Sequence, residues 1–487
     1  MLWLLLPMLS ADPAMAGGAD VGGYFRVMGR PDFQGGSGRL GFWNLHGRLL
    51  NEGPYGMLEL RYDVLEPQPG STQPWTALHA RVEGGSIGNA SASNGSLAEF
   101  RMSQVFVKTG NVALENVTWQ VGTLEYFFGD LGLYDMRPAT VFFDTVGVSA
   151  RYESDVVEFL VGAGDSGFNL HGFDYNAVPT AGGTVRFRLG KHLEIGTGGE
   201  ALIEGERLGN TNAPYQTPGI GYEDWVRGEV TERFAAEFPG LEDSFPNPRS
   251  RSSKSWKAIG YLGFGGFGPI QWNNFFVNYR KVHPDTFTTE QLNGETVKIY
   301  VHDFTDQRTQ LNLGNELQLQ LIPDRLDAAW GVLYGDHRDA DNAIVPSDHD
   351  RKYASTVLRL QTYATPMVHF LVESSLAREH STNGNAYREH SDSIFANNDG
   401  NPNSRGLEIG DTDTRHTWQG KGGIVLSPLG TGIYTRPSLR LLYGTQYSNV
   451  NNAFGNSFVE SLDQFSDFDA VEQHWHHLLA AEAEVWF

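Results

Sequence analysis

The chain closes on HHLLAAEAEVWF (His476–Phe487). Counting back in twos from Phe487 gives Val485, Ala483, Ala481 and Leu479, all apolar, while the other register carries Trp486, Glu484 and Glu482. A period of two belongs to an extended strand whose faces meet different surroundings. One face here is apolar to the last residue; the other sets a single tryptophan among acids.

The same alternation recurs upstream. In GNELQLQLIP, Leu313, Leu317, Leu319 and Leu321 share a face, opposite Asn312, Glu316, Gln318 and Gln320. RPSLRLLYGTQY sets Leu439, Leu441 and Tyr443 against Arg436, Ser438, Arg440 and Gln446. GMLELRYDVL, EFRMSQVFVK, GTVRFRLG and YASTVLRLQTY follow the pattern less cleanly. Four tight turns stand out: FGGFGPIQW, LIPDRLDAAW, TYATPMVHF and LSPLGTGIY. Between them run long polar stretches: Val282–Arg308, Asp336–Arg351, Arg378–His416 and Tyr447–Glu472. Glu66–Ser96 reads as a further long loop, and so does Thr231–Ser255, where TERFAAEF suits a short helix.

Short and long connections alternating along an up-and-down sheet emerge at opposite ends. That is the arrangement of an outer-membrane barrel, with periplasmic turns and extracellular loops. Backbone polar groups in lipid need partners within the protein, so only helices or a closed barrel can span. No stretch is apolar and long enough for a helix, and mean hydropathy is -0.35. The expected fold is an all-β transmembrane antiparallel barrel with its apolar face in lipid and its polar face toward a wet lumen. A soluble sandwich, with the polar face outside, leaves the register of Phe487 unexplained.

Composition narrows the functions. The chain has no Cys, which excludes disulfides, cysteine-zinc sites and a thiol nucleophile. A formal net charge of -22 argues against nucleic acid as a partner. MLWLLLPMLSADPAMA, an apolar run ending in Ala14-Met15-Ala16, reads as a secretory signal over 1–16, though without a basic start. Residues 17–487 then form one barrel domain. GDSGF (Gly164–Phe168) has no matching His and Asp, and Gly263-x-Gly265-x-x-Gly268 reads as a hairpin turn. HWHH places His474 and His476 on one face, too few ligands for a metal, and reads as strand-end histidines at the membrane surface. GDHRDADN and DTDTR lack EF-hand spacing and read as solvated loops. No cofactor and no metal are expected.

Several segments resemble the maltoporin (sugar porin) family. They are VGGYFRVMGR, NVTWQVGTLEYFFGDLGLYDMRPATVFFDTVG, QWNNFFVNYRK, GIYTRPSLRLLYGTQYSN and the terminal EVWF, in that order. The resemblance implies trimers of eighteen-stranded outer-membrane barrels through which maltodextrins slide along a row of aromatics flanked by charges. Carried over, Tyr24, Trp272, Tyr434 and Trp486 fall at the slide, and Arg26, Arg39, Arg101 and Asp135 at the polar track. Period two puts Tyr24 with Arg26, Trp272 with Asn274 and Asn278, Tyr434 with Arg436 and Arg440, and Trp486 with Glu484, all on the lumen side. A constriction loop is expected near Gly122–Thr145, with Arg137 where the family has a tyrosine. Gly47 and Leu49 depart from the family's first hairpin, where Phe42, Trp43 or Tyr55 could compensate. Trp75 is the candidate ring lent to a neighbouring subunit, and the family's loop disulfide is missing.

The expected function is therefore facilitated diffusion of oligosaccharides through a homotrimeric outer-membrane porin of a Gram-negative bacterium. The alternatives are a general diffusion porin without saturable sugar binding and a barrel that is not a channel, whether enzyme, adhesin or receptor.

Overall fold

The computed structural model describes residues 17–33, 40, 43–66, 71–85, 100–167, 177–205, 252–282, 287–292, 295–300, 308–339, 350–381, 414–449 and 474–487. Their strands are β1 (Ala19–Gly29), β2 (Tyr55–Leu65), β3 (Trp75–Gly85), β4 (Phe100–Gly110), β5 (Val117–Phe127), β6 (Thr140–Glu153), β7 (Val157–Asp165), β8 (Pro179–Leu189), β9 (Leu193–Glu204) and β10 (Ser253–Phe267). They continue with β11 (Ile270–Val282), β12 (Phe287–Leu292), β13 (Glu295–Tyr300), β14 (Arg308–Ile322), β15 (Leu326–Asp339), β16 (Arg351–Tyr363), β17 (Val368–Ser381), β18 (Thr414–Leu426), β19 (Ser438–Ser448) and β20 (Trp475–Trp486). One short helix, α1 (Trp43–His46), lies between β1 and β2.

Apart from the separate β12–β13 hairpin, each strand pairs antiparallel with its chain neighbours in an 18-stranded sheet, and β20 pairs back onto β1. Closure leaves no open edge, which a sheet in hydrocarbon requires. The seam is sealed at the terminus. Gly23 and Phe487 exchange backbone hydrogen bonds of 2.9 and 3.1 Å, and the Phe487 ring stacks on Phe25 at 5.9 Å. Phe487 is exposed in the outward register, while Glu482 and Glu484 are buried in the inward one.

The outer face is apolar and exposed on strand after strand: Val27, Leu60, Val148, Val161, Leu358, Val372, Leu441 and Leu479 are examples. Exposed aromatics mark its two margins. Tyr62, Tyr152, Phe159, Phe187 and Phe267 lie at the short-turn end, and Trp256, Tyr334, Tyr447 and Trp475 at the long-connection end. An apolar band between aromatic girdles is the lipid-facing surface of an outer-membrane barrel, and this protein is one.

Two expectations need correction. The loop over Glu66–Ser96 contains β3, whose inward row mixes Trp75, Ala77, His79, Arg81 and Glu83; that mixture hides the alternation. The lumen is also not wet throughout. Residues 40, 43–54 and 128–139 fold inward and bury two apolar clusters against the inner wall. Leu40, Leu49 and Leu50 pack on Leu371, Val425, Leu442 and Leu478. Leu131, Leu133 and Tyr134 pack with Ile259, Phe276, Leu333 and Val357. Inward-facing glycines make the room: a Cβ at Gly314 would overlap Leu131, one at Gly331 Tyr134, and one at Gly444 Leu50.

Candidate functional site

Three segments meet inside the barrel. The first, 43–54 with Leu40, lies between β1 and β2, and the second, 128–139, joins β5 to β6. The expected constriction over Gly122–Thr145 is thus shorter as a loop, because Leu124 pairs with Thr145 and Phe127 with Thr140 as strand. The third is the β18–β19 connection, 427–437. Its sequence reads as a tight turn, but it runs into the lumen and packs Ile433 against the larger apolar cluster. Tyr434 is therefore not on a strand, and the period-two argument does not apply to it.

Glu316 on β14 is where these segments are tied. Its buried carboxylate accepts the Leu133 N–H at 2.7 Å, the Tyr434 hydroxyl at 2.7 Å and the Gln318 amide at 3.0 Å. The Arg48 N–H donates to Leu133 O at 2.9 Å, which joins the first segment to the second. An unpaired carboxylate there would be costly, so the three donors are what makes its burial tolerable.

A second cluster sits against the β20–β1 seam. Arg48 pairs with Glu484 and Arg26 with Glu52, and Asp135 lies 4.0 Å from Arg26. The Tyr24 hydroxyl donates to Glu484 at 2.5 Å. Burial pushes the Glu52 carboxyl up to about 8, with Asp135 adding to the rise against the pull of Arg26 and Arg48. Burial also acts to raise Asp135, but Arg48 and Arg26 override it and hold that carboxyl below its usual value.

The expected aromatics lie along an arc. Trp486 faces inward, 49% exposed, with its ring 4.6 Å from that of Tyr24. Tyr55 packs on the far side of Tyr24 at 5.8 Å and donates to Glu83 at 2.9 Å. The Arg436 guanidinium lies over both Trp486 (5.8 Å) and Tyr24 (5.9 Å), and donates to Tyr434 O at 3.2 Å. Tyr434 leads through Glu316 and Gln318 to Trp272, which pairs across the sheet with Gln318 and donates to Asn274 at 2.8 Å. The structure thus brings Tyr24, Trp486, Arg26 and Asp135 together directly. It connects Tyr434 and Trp272 to them only through Arg436 and Glu316.

Of the other expected residues, Arg101 is placed by its backbone opposite Glu83. Arg39 and Phe42 lie outside the described residues, as do 1–16, 231–251 and most of DTDTR, whereas 335–339 of GDHRDADN continue β15 as strand, with Asp336 paired to Arg338, instead of forming a loop. Trp75 falls in the inward row of β3, not on the outer wall. His476 is a correction: it is buried, 2.9 Å from Asp32 and 3.1 Å from Leu40 O, and anchors the first segment instead of lying at the membrane surface. The Ser166 hydroxyl of GDSGF is held between Thr145 (2.9 Å) and Thr180 (2.8 Å), with no base hydrogen-bonded to it among the described residues.

Sequence reasoning missed Glu316, Arg48, Glu52 and Arg436 as site residues. Glu316 and Arg436 were already on polar faces, and the inward glycines were the further signal of something packed against the wall.

No protein-family model matches the chain, and no curated protein matches it. Among solved structures it is similar to the outer membrane channel DcaP of Acinetobacter baumannii, at 9% identity and TM-score 0.46 over 98% of this chain and 99% of that one. It is also similar to an anion-selective porin from Comamonas acidovorans, at 9% identity and TM-score 0.42 over 97% and 100%. A third is Wzi, a carbohydrate-binding barrel of Escherichia coli, at 13% identity and TM-score 0.38 over 100% and 87%. Likenesses at this level carry no functional argument, and the fold rests on the strand pairing described above.

Proposed function

We propose that the protein is an outer-membrane diffusion channel for oligosaccharides, not an enzyme. The observation that carries this reading is the half-exposed Trp486 ring, presented into the lumen beside Tyr24 and under the Arg436 guanidinium. A flat aromatic face takes the apolar side of a sugar ring, at about 0.5–1.5 kcal/mol if it behaves like an aromatic pair. Guanidinium and carboxylate groups beside it exchange charge-assisted hydrogen bonds with hydroxyls. Contacts of this strength let a solute enter and also leave. Arg26 and Asp135 would serve as polar contacts, and Trp272 and Tyr434 as further rings along the arc. A homotrimer in the outer membrane is part of this proposal and rests on the sequence resemblance.

A second reading, a general channel for charged solutes, is favoured by one observation. The lumen-facing ion pairs of β2–β9 remain accessible, among them Arg81 with Glu59 and Glu125, and Arg188 with Glu153. Single-channel current in a planar bilayer separates the two. Saturable block by maltohexaose or sucrose, but not by a linear polyol of similar size, is expected for the sugar channel. Steady current with every solute would leave the general channel.

A further inference from the structure

Outside the lumen, a groove of about 560 Å³ opens on the lipid-facing side of β16–β19, at the long-connection end. Its floor is Ala354, Thr356 and Leu376, and its side wall is Trp418 and Tyr447. The Trp418 indole is held by a 3.1 Å hydrogen bond to Ser374 Oγ. One row below, Ser374 pairs with Gly420, and the Trp418 ring lies over that glycine. The rim away from the membrane centre carries one arginine and one histidine. Arg378 is paired across the sheet with Ala354 on one side and His416 on the other, and both Arg378 and His416 are exposed and line the groove. The next row outward sets Lys352 beside His380. Asp336 is taken up by Arg338 (3.2 Å) and Lys352 (3.8 Å), and among the described residues no ion pair occupies Arg378.

We infer that this groove binds a phosphorylated, multiply acylated glycolipid of the outer leaflet, with an acyl chain along Thr356, Leu376 and Trp418 and a phosphate on Arg378 and His416. Charge complementarity favours such an occupant. The chain carries -22 overall, so an anionic headgroup is repelled by most of its surface, and this rim offers the Arg378 guanidinium, with the His416 imidazole beside it as a hydrogen-bonding partner, at headgroup height directly above an apolar trough. The aromatic girdle fixes that height, since tryptophan and tyrosine settle at the interface.

The test uses the full chain in detergent, with folding of each variant checked by heat-modifiable gel migration. Bisphosphorylated lipid A, the same lipid with its phosphates removed, and phosphatidylcholine are added separately, and retained lipid is counted by native mass spectrometry. The expected result is retention of the bisphosphorylated lipid alone, reduced about tenfold in Arg378→Ala/His416→Ala. Lys254→Ala, which removes an exposed cation at the same end of β10, should retain it as wild type does. Ala354→Trp should also lose the lipid, because it fills the trough and leaves Arg378 and His416 in place. Equal retention by wild type and Arg378→Ala/His416→Ala would overturn the assignment, as would equal retention of the dephosphorylated lipid. Displacement by inorganic phosphate with no effect of Ala354→Trp would mean an ion site without a lipid. Disulfide crosslinking of two copies through Arg378→Cys in the presence of the lipid would give the groove to a neighbouring subunit.

Discussion

The two halves of the inner wall spend their charges differently. From β16 round to β20 the inward ion pairs are dry: the side chains of Arg359 and Glu373 are 3% and 0% exposed, and those of Lys421, Glu379, Glu482 and Glu484 are buried too. From β2 to β9 most are accessible: the side chains of Arg61 and Glu59 are 34% and 35% exposed, and Arg81, Arg137, Arg151 and Arg188 also reach the lumen, although Glu158, which pairs with Arg151 and Arg188, is itself buried. Both walls alternate in the same way along the strand. What separates them is the packing of the first infolded segment against one wall only. Charges on the covered wall hold that segment in place; charges on the open wall line whatever passage remains. The lesson is that inward register identifies a lumen residue but does not say whether the lumen reaches it.

The sharpest way to break this comparison is to remove one carboxylate from each wall. Glu373→Gln leaves Arg359 and Lys421 buried without their anion (now 2.6 and 2.8 Å away) and is expected to cost about 3–5 kcal/mol. Glu59→Gln, on the open wall, is expected to cost about 0–1 kcal/mol. Urea unfolding followed by heat-modifiable migration reads both, and similar losses would erase the distinction. Next in size is Gly331→Leu. The added side chain meets Leu133 and Tyr134, so overpacking of about 1–3 kcal/mol should loosen the 128–139 segment and raise single-channel conductance. Unchanged conductance and stability would mean that the segment does not rest on that glycine.

A smaller effect is expected at Trp486. Trp486→Ala should fold normally and weaken sugar block by about 2- to 10-fold, the equivalent of one lost stacking contact. Block equal to wild type would remove Trp486 from the solute path. The last prediction concerns pH. The folded protein holds a proton on Glu52 up to about 8, whereas an unfolded chain releases it near the ordinary carboxyl value. Between those values the folded state binds more protons, so stability falls as pH rises. The contribution is fully present below the ordinary carboxyl value and is lost as pH approaches 8. Glu52→Gln should flatten this slope; an unaltered slope between pH 5 and pH 8 would assign the dependence elsewhere.

Much of the barrel was legible because period two is a local signal. GNELQLQLIP and the last twelve residues announced β14 and β20, and the alternation of short and long connections set the topology. β3 was lost because its inward row is neither uniformly polar nor apolar. The infolded segments were harder for a physical reason: 43–54 and 427–437 are stabilised by contacts with strands far away in the chain, such as Leu50 on Leu442 and Tyr434 on Glu316, and those pairings leave no periodic trace. The inward glycines at 314, 331 and 444 were the visible half of that packing, readable only once their partners were known.

The most direct test of the two-wall account uses the absence of cysteine from the chain. Single cysteines at Arg81 on the open wall and at Gln419 on the covered wall would be exposed to a water-soluble methanethiosulfonate during bilayer recording. The account predicts rapid modification and a current change with Arg81→Cys, and neither with Gln419→Cys, whose site is fully buried beside Asn51 and Gln446. Equal reaction rates at the two positions, or reaction at Gln419→Cys alone, would contradict it.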